Sequence, residues 1–136
     1  MTVNIPLEER IVFRGATLCV YWLLTPPASM PARKEYAKQV DDAEARAAMQ
    51  AIDEFLTEGE KVPKTLLEKW DHKGVVVWEI KAPQTGKIIN RLLCHRGSNW
   101  DLFVALARQK GSQVIELSWK ETTAIRIKRS LAAGGP

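Results

Sequence analysis

Basic side chains that could hold a nucleic-acid backbone are concentrated in the second half of this chain. Residues 1–80 contain 10 Lys and Arg against 13 Asp and Glu, a balance of −3, whereas residues 81–136 contain 10 against 3, a balance of +7. Arginine can bind a phosphate group through two parallel hydrogen bonds, and lysine binds it as a point charge. The asymmetry therefore predicts an anionic partner, with RNA or DNA as the leading class; a solvated basic face is the alternative.

Three predicted strands, separated by turn sequences, carry many of these cations: residues 75–81, 87–94 and 100–108. Connections this short predict an antiparallel meander. Strand alternation places Lys87 and Arg91 on one face of the second strand. It also places Arg108 and Lys110 on one face of the third. An anion is one partner for Arg91, and a salt bridge to Glu79 on the adjacent strand is an equally supported alternative.

Polar and aromatic residues near this meander add to the candidate RNA contacts. His95 and Arg96 lie at the turn before the third strand, and His95 is a candidate proton carrier, although an exposed loop histidine is the favoured interpretation. Trp100 and Trp119 could stack on bases, since every base has a π-face. Trp119 could equally pin the last helix to the sheet.

Several chemistries lack a signature in the sequence. There is no GxSxG, P-loop or HExxH motif and no cluster with metal-ligand spacing, so neither a metal nor a cofactor is expected. Cys19 and Cys94 lie in apolar, strand-like surroundings; buried free thiols are the favoured interpretation, and a disulfide between them is the alternative. The N-terminus has no secretory signal pattern and no apolar run is long enough for a bilayer, which predicts a cytoplasmic protein without a membrane partner.

The remaining elements predict an α+β fold. An apolar strand at residues 18–24 precedes a helical pair at about 30–40 and 41–57, where Asp41 and Glu44 have capping-box spacing. Residues 61–72 read as a connector, and a last helix is predicted at about 118–131. We predict a single domain, residues 1–136, with about four mainly antiparallel strands, an N-terminal helical pair and a C-terminal helix, all helices on one face. Residues 1–15 would form an extra arm or an edge strand, and residues 132–136 would fray.

The order of these elements and a set of short motifs resemble the RelE/ParE toxin superfamily, most closely its HigB-like, phage-derived branch. That branch carries a helical pair ending near a glycine, strands resembling LWELR, YRVLY and F-x-KK, and a final helix opened by Thr-Pro-x-x-Glu. The corresponding residues here are Gly59, VWEIK at 77–81, NRLL at 90–93, LARQK at 106–110 and SWKE at 118–121. The chain departs from the pattern in having Lys81 where Arg is usual, a single Lys110, and no late Tyr, His or Asp.

The resemblance implies a RelE-like fold and a toxin of a type II toxin–antitoxin pair. Such a toxin would be a ribosome-dependent mRNA endoribonuclease in which the substrate's own 2′-hydroxyl attacks the phosphate without metal. On this resemblance Arg91 and Arg108 would hold the scissile phosphate, and Lys81 or Lys110 would handle protons or charge. Further RNA contacts would come from Lys87, His95, Arg96, Trp100, Trp119 and Lys120.

The same resemblance implies a cognate small antitoxin and mRNA on the ribosome as partners, and leaves a homodimer open. Two alternatives to the nuclease remain at this point. One is a non-catalytic, ParE-like toxin that binds a protein target, and the other is a phage-derived binding protein without activity. The absence of an obvious acid or base favours these alternatives, whereas the basic second half favours RNA.

Overall fold

The protein contains one six-stranded mixed sheet with helices on both faces. The computed structural model describes residues 5–83, 88–110 and 115–136, with the backbone but not the side chain of Lys110. A single 3₁₀ turn at Leu7–Arg10 leads into the regular elements. These are β1 (Ile11–Arg14), β2 (Cys19–Trp22), α1 (Pro31–Gln39), α2 (Asp42–Thr57), β3 (Leu67–His72), β4 (Val75–Pro83), β5 (Ile89–Arg96), β6 (Asp101–Lys110) and α3 (Leu117–Ala132).

The strand order in the sheet is β1-β2-β6-β5-β4-β3. Neighbouring strands are antiparallel except β2 and β6, which pair in parallel from Cys19 opposite Asp101 to Trp22 opposite Val104. The prediction of about four mainly antiparallel strands was therefore wrong. The sheet gains β1 and β3 at its two edges, and the helical pair follows two strands instead of forming an N-terminal layer.

Strand β3 lies in the segment that the sequence analysis interpreted as a connector. It forms a hairpin with β4 through the two residues Lys73 and Gly74, which have φ of 51° and 86°. Two consecutive positive φ values are the hallmark of a type I′ turn, whose twist matches that of paired strands. The Asp71 Oδ1 atom accepts the Gly74 N–H at 3.1 Å and closes the turn. The connector prediction was wrong because Lys73-Gly74 is a weak turn signal. The turn has glycine at its second position, but lysine stands at the first position, where Asn or Asp is usual.

Local sequence accounts for both helices between β2 and β3. Pro31 lies in the first turn of α1, where its missing N–H costs nothing. Asp41 caps α2, because its carboxylate accepts the Glu44 N–H at 3.1 Å. One face of α2 is apolar and buried through Ala45, Ala48, Met49 and Ile52.

The sheet separates two hydrophobic cores. Helices α1 and α2 pack on one face, over Val20, Ile80, Leu92 and other residues of the larger core. Helix α3 packs on the opposite face through Ala124 and Ile127, over Val77, Leu93 and Phe103 among others. The expectation that all helices share one face was therefore also wrong. Among the described residues, α3 is the one helix that packs on this second face.

A buried carboxylate connects α2 to the start of β2. Asp53 is 5% exposed and accepts the backbone N–H groups of Ala16, Thr17 and Leu18 at 3.1, 2.8 and 2.8 Å. Burial by itself would raise the pKa of Asp53, but these three hydrogen bonds outweigh it and hold the pKa below the ordinary value. The carboxylate thus ties the loop before β2 to the helix.

Within the described ranges, no helix has both the length and the apolar character that a membrane span requires.

Candidate functional site

Three of the predicted cations form a row across neighbouring strands. In the β4–β5 register Lys81 lies opposite Arg91, and in the β5–β6 register Arg91 lies opposite Arg108. Residues directly opposite each other in a sheet project from the same face. The row therefore lies on the face that carries α3, where Val77 and Leu93 of the same strands belong to the α3 core.

A β-bulge in β6 decides that Arg108 belongs to this row. Leu93 pairs with Leu106, whereas the next residue, Cys94, pairs with Val104, so β6 contains one extra residue at Ala105. An extra residue reverses the alternation of side chains beyond it. Without the bulge Arg108 would project toward α1 and α2 together with Val104.

Each cation of the row is paired with its own glutamate. Lys81 Nζ lies 2.9 Å from Glu68 Oε1, Arg91 forms an ion pair with Glu79, and Arg108 Nη1 lies 2.5 Å from Glu35 Oε2. The three cations come from β4, β5 and β6, and two of the glutamates come from β3 and α1. Every cation of the row therefore has a glutamate partner in this structure, and Glu35 is shared with Arg126.

The Arg91–Glu79 pair is sealed in the protein. Arg91 is 2% exposed and Glu79 is 1% exposed, and Trp70 donates its Nε1–H to Glu79 Oε1 at 3.1 Å. The interaction that the sequence offered as an alternative to phosphate binding is present. With so little accessible surface, Arg91 acts here by holding the Glu79 carboxylate and not by presenting a free guanidinium to solvent.

Glu35 gathers a second set of charges at the edge of β6. Strand β2 pairs with that edge only as far as Val104. Beyond Val104, the edge is contacted by α1 through the Glu35 carboxylate. Arg126 of α3 donates to both Glu35 oxygens at 2.9 and 3.0 Å, and Glu35 also accepts the Ala107 N–H at 3.2 Å. Burial would raise the pKa of Glu35, but the hydrogen bonds from Arg126 and Arg108 outweigh it and lower the pKa.

We expect Glu35→Gln to lower the free energy of unfolding by about 1–3 kcal/mol, because two partly buried guanidinium groups lose their counter-charge. Because the folded-state pKa of Glu35 is depressed, its contribution is present above its ordinary pKa of 4.5 and is lost as the pH falls through the folded-state pKa. Urea unfolding at pH 7 and pH 3.5 measures both effects. Glu44→Gln, on the exposed side of α2, is the matched control. Equal stability of the two variants at pH 7 would contradict the expected role.

A cleft of about 310 Å³ opens beside the Lys81 end of the row, between β3, β4 and the beginning of α3. Three predicted residues line it: Lys81, Arg91 and Lys120. Lys120 Nζ lies 5.8 Å from the centre of the Trp70 ring, within reach of a cation–π contact. The other lining residues are Glu68, Lys69, Trp70, Asp71, Glu79 and Ile115.

The cleft combines accessible charge with an aromatic wall. The Lys81 side chain is 19% exposed and the Glu68 side chain 37%. The hydrogen bond from Lys81 lowers the pKa of Glu68, so this carboxylate is ionised at neutral pH. Of the charged lining residues, three cations (Lys81, Arg91 and Lys120) and two carboxylates (Glu68 and Glu79) lie on the α3 side of the sheet, which leaves this side of the cleft with a small positive excess.

Two other predicted RNA contacts lie on the opposite face of the sheet. The Arg96 guanidinium lies 3.6 Å from the centre of the Trp100 ring and 5.2 Å from that of Trp78. Both tryptophans pack against the core under α1 and α2. The structure brings Arg96 and Trp100 together, but it separates them from the row and the cleft.

The remaining predicted residues are scattered. His95 is half-buried near Phe103, and burial lowers its pKa, which favours the neutral ring at pH 7. Trp119 packs against the α3 core, in agreement with the pinning alternative. Lys87 lies outside the described residues, and so does the side chain of Lys110, whose backbone pairs with Ile89.

Sequence reasoning did not find two of the three glutamates that pair with the row, Glu35 and Glu68, or the aromatic wall of the cleft. Glu68 and Trp70 were assigned to a connector, although residues 67–72 alternate between the two faces as an edge strand does. Glu35 lies in a helix far from β6 in sequence, and no local pattern reveals its contact with Arg108. Glu79 was the one partner that the predicted strand pairing brought within reach.

The cysteines and the acidic residues show no metal or disulfide chemistry in the described part of the chain. Cys19 and Cys94 are free thiols, and burial raises the pKa of Cys94. Among residues 5–83, 88–110 and 115–136, no group of three or more His, Cys, Asp or Glu side chains is placed to hold a metal ion.

Comparisons with known proteins give no match: no family model, no curated protein and no solved structure matches this chain. The resemblance to RelE/ParE toxins therefore stands on the short motifs alone.

Proposed function

We propose that this protein is a cytoplasmic toxin that cleaves mRNA on the ribosome through attack of the RNA's 2′-hydroxyl on the adjacent phosphate. The observation that carries the proposal is the row of Lys81, Arg91 and Arg108, which ends in a cleft of about 310 Å³ with an aromatic wall. A sugar–phosphate unit needs cations for its phosphate and a flat apolar surface for its base. This cleft offers both.

Accessibility divides the roles among the cations. Lys81 and Lys120 are the cations of the cleft that best reach a phosphate, since the guanidinium of Arg91 is sealed beneath them. Arg91 contributes by fixing Glu79, which in turn fixes the Trp70 ring through its Nε1–H. Arg108 is held by Glu35 at the far end of the row. Phosphate binding therefore depends on two lysines, so the salt dependence of binding should correspond to about two phosphate contacts.

The charge of the helices favours the α3 face for RNA. Helix α3 carries Lys120, Arg126, Lys128 and Arg129 against Glu121, whereas α2 carries Asp42, Glu44, Asp53 and Glu54 against Arg46. An RNA strand approaching the α3 face meets the positive side of the protein. A small antitoxin would neutralise the toxin by covering this cleft, and its inhibitory segment should carry acidic residues.

Lys81→Met tests the proposal with Lys38→Met as the matched control. Lys38 is an exposed lysine of α1, on the other side of the sheet. We expect wild-type protein and the Lys38 variant to arrest growth on regulated expression and to generate new, codon-associated mRNA ends. The Lys81 variant should generate none. In binding to a single-stranded RNA oligonucleotide, it should also reduce the slope of log affinity against log salt by about 0.7, the value of one phosphate contact.

A non-catalytic toxin or binding protein is the second candidate, and the sealed Arg91–Glu79 pair favours it. In that case the charged row is a structural network, and the target is a protein. Growth arrest without new mRNA ends, unchanged in the Lys81 variant, would support this candidate and overturn the nuclease.

A further inference from the structure

A carboxylate on the edge strand β3 shares the cleft with the accessible lysine. Glu68 lies directly opposite Glu79 in the β3–β4 register, and both project toward α3. Like charges in opposite positions repel unless each has a counter-charge. Glu79 has Arg91, and Glu68 has Lys81 at 2.9 Å. Lys81 also donates to the Lys64 carbonyl at 3.2 Å, which orients its ammonium group toward Glu68.

We propose that Glu68 and Lys81 are the general base and general acid of the RNA cleavage, an inference that rests on the proposed function. Glu68 takes the proton of the 2′-hydroxyl as that oxygen forms its bond to phosphorus. Lys81 gives a proton to the 5′-oxygen as the phosphorus–oxygen bond to it breaks. The products are a 2′,3′-cyclic phosphate and a 5′-hydroxyl, and no oxidant, reductant or other reactant is consumed.

The direct contact between Glu68 and Lys81 returns both residues to their starting protonation states. After one cycle Glu68 is a carboxylic acid and Lys81 a neutral amine, and in this structure the two groups share a single hydrogen bond of 2.9 Å. Transfer of one proton from the acid to the amine restores the carboxylate and the ammonium group. Neither residue has to exchange its proton with distant solvent. Once the products leave, the two side chains can contact each other directly again.

Glu68 is the carboxylate of the cleft that fits this role. Glu79 is 1% exposed and is occupied by Arg91 and Trp70. Asp71 closes the hairpin turn by accepting the Gly74 N–H, and strand alternation directs it to the other face of β3. Glu68 has a side chain 37% exposed, which lets a 2′-hydroxyl reach it. Glu68 is ionised at neutral pH, as a proton acceptor has to be.

The experiment compares Glu68→Gln with Glu60→Gln, a charge-matched control at an exposed position beyond α2. Bacterial ribosomes programmed with a short, end-labelled mRNA are the substrate, and single-turnover cleavage is followed from pH 4.5 to 8. General-base catalysis contributes about 10²–10⁴-fold, so we expect a loss of at least about 100-fold in Glu68→Gln and none in Glu60→Gln. The affinity of each variant for programmed ribosomes should differ less than threefold from that of the wild-type protein.

The pKa of Glu68 is lowered from its ordinary 4.5, so this carboxylate stays ionised through the pH range of the experiment. Rescue by a conservative variant therefore separates catalysis from a merely structural ion pair. Glu68→Asp keeps a carboxylate on a shorter side chain and should recover part of the cleavage rate that Glu68→Gln loses. If wild-type protein cleaves and Glu68→Gln cleaves within threefold of it, the inference about Glu68 is overturned while the nuclease stands. If wild-type protein binds the programmed ribosomes but leaves the mRNA intact, the proposed function itself is overturned.

Discussion

Asp53→Ala is expected to lower the free energy of unfolding by about 3–5 kcal/mol, the range for loss of several charge-assisted hydrogen bonds at a buried site. The Asp53 carboxylate accepts the N–H groups of three consecutive residues, Ala16, Thr17 and Leu18. Alanine leaves these donors without an acceptor, next to a side chain, Leu18, that is fully buried. Equilibrium unfolding in urea at pH 7 measures the change. Glu54→Ala, the exposed neighbour on α2, should change stability by less than about 0.5 kcal/mol.

The same variant should alter the response to acid. The folded-state pKa of Asp53 lies below its ordinary value of 3.8, so its stabilisation is complete above that pH and disappears as the pH falls toward the folded-state pKa. Wild-type protein therefore loses this contribution as the pH falls below 3.8 toward the folded-state pKa, and Asp53→Ala has none to lose. A variant that lost as much stability on acidification as the wild type would show that Asp53 is not the titrating group.

Glu79→Ala is expected to destabilise the protein by about 3–5 kcal/mol, because removal of one partner leaves the other charge buried and unpaired. Arg91 is almost inaccessible to solvent and Trp70 loses the acceptor of its Nε1–H. The measurement is urea unfolding of Glu79→Ala, Glu79→Leu, Arg91→Met and the variant carrying Glu79→Leu together with Arg91→Met. The paired apolar replacement should recover most of the loss, since two apolar side chains need no counter-charge.

Additive losses in the paired variant would contradict this account, because independent residues show no coupling energy. The prediction also affects the choice of activity variants. Arg91→Ala is a natural first test of a phosphate-binding arginine, yet it would remove a buried counter-charge and unfold part of the molecules. Lys81 and Glu68 are the cleaner probes, because both side chains reach solvent.

Local sequence patterns, each spanning about ten residues or fewer, located much of the secondary structure. The Asp41 cap and the apolar stripe from Ala45 to Ile52 define α2, and the apolar, β-branched run of residues 75–81 defines β4. The β5–β6 turn and the adjacent meander follow from short connections that permit only antiparallel pairing. The hairpin of β3 and β4 was missed, since Lys73-Gly74 is a weaker turn signal than Asn-Gly or Asp-Gly.

Sequence alone also determined which residues supply the charge, the cations of residues 81–136, whereas the shared face of Lys81 and Arg91 follows from the β4–β5 register of the structure. Only the tertiary structure decided what these cations touch. One extra residue in β6 selects the face of Arg108, and Glu35 and Glu68 reach the row from elements that local patterns cannot pair with it. The parallel pairing of β2 with β6 has the same origin, because contacts between distant segments depend on how the whole core packs.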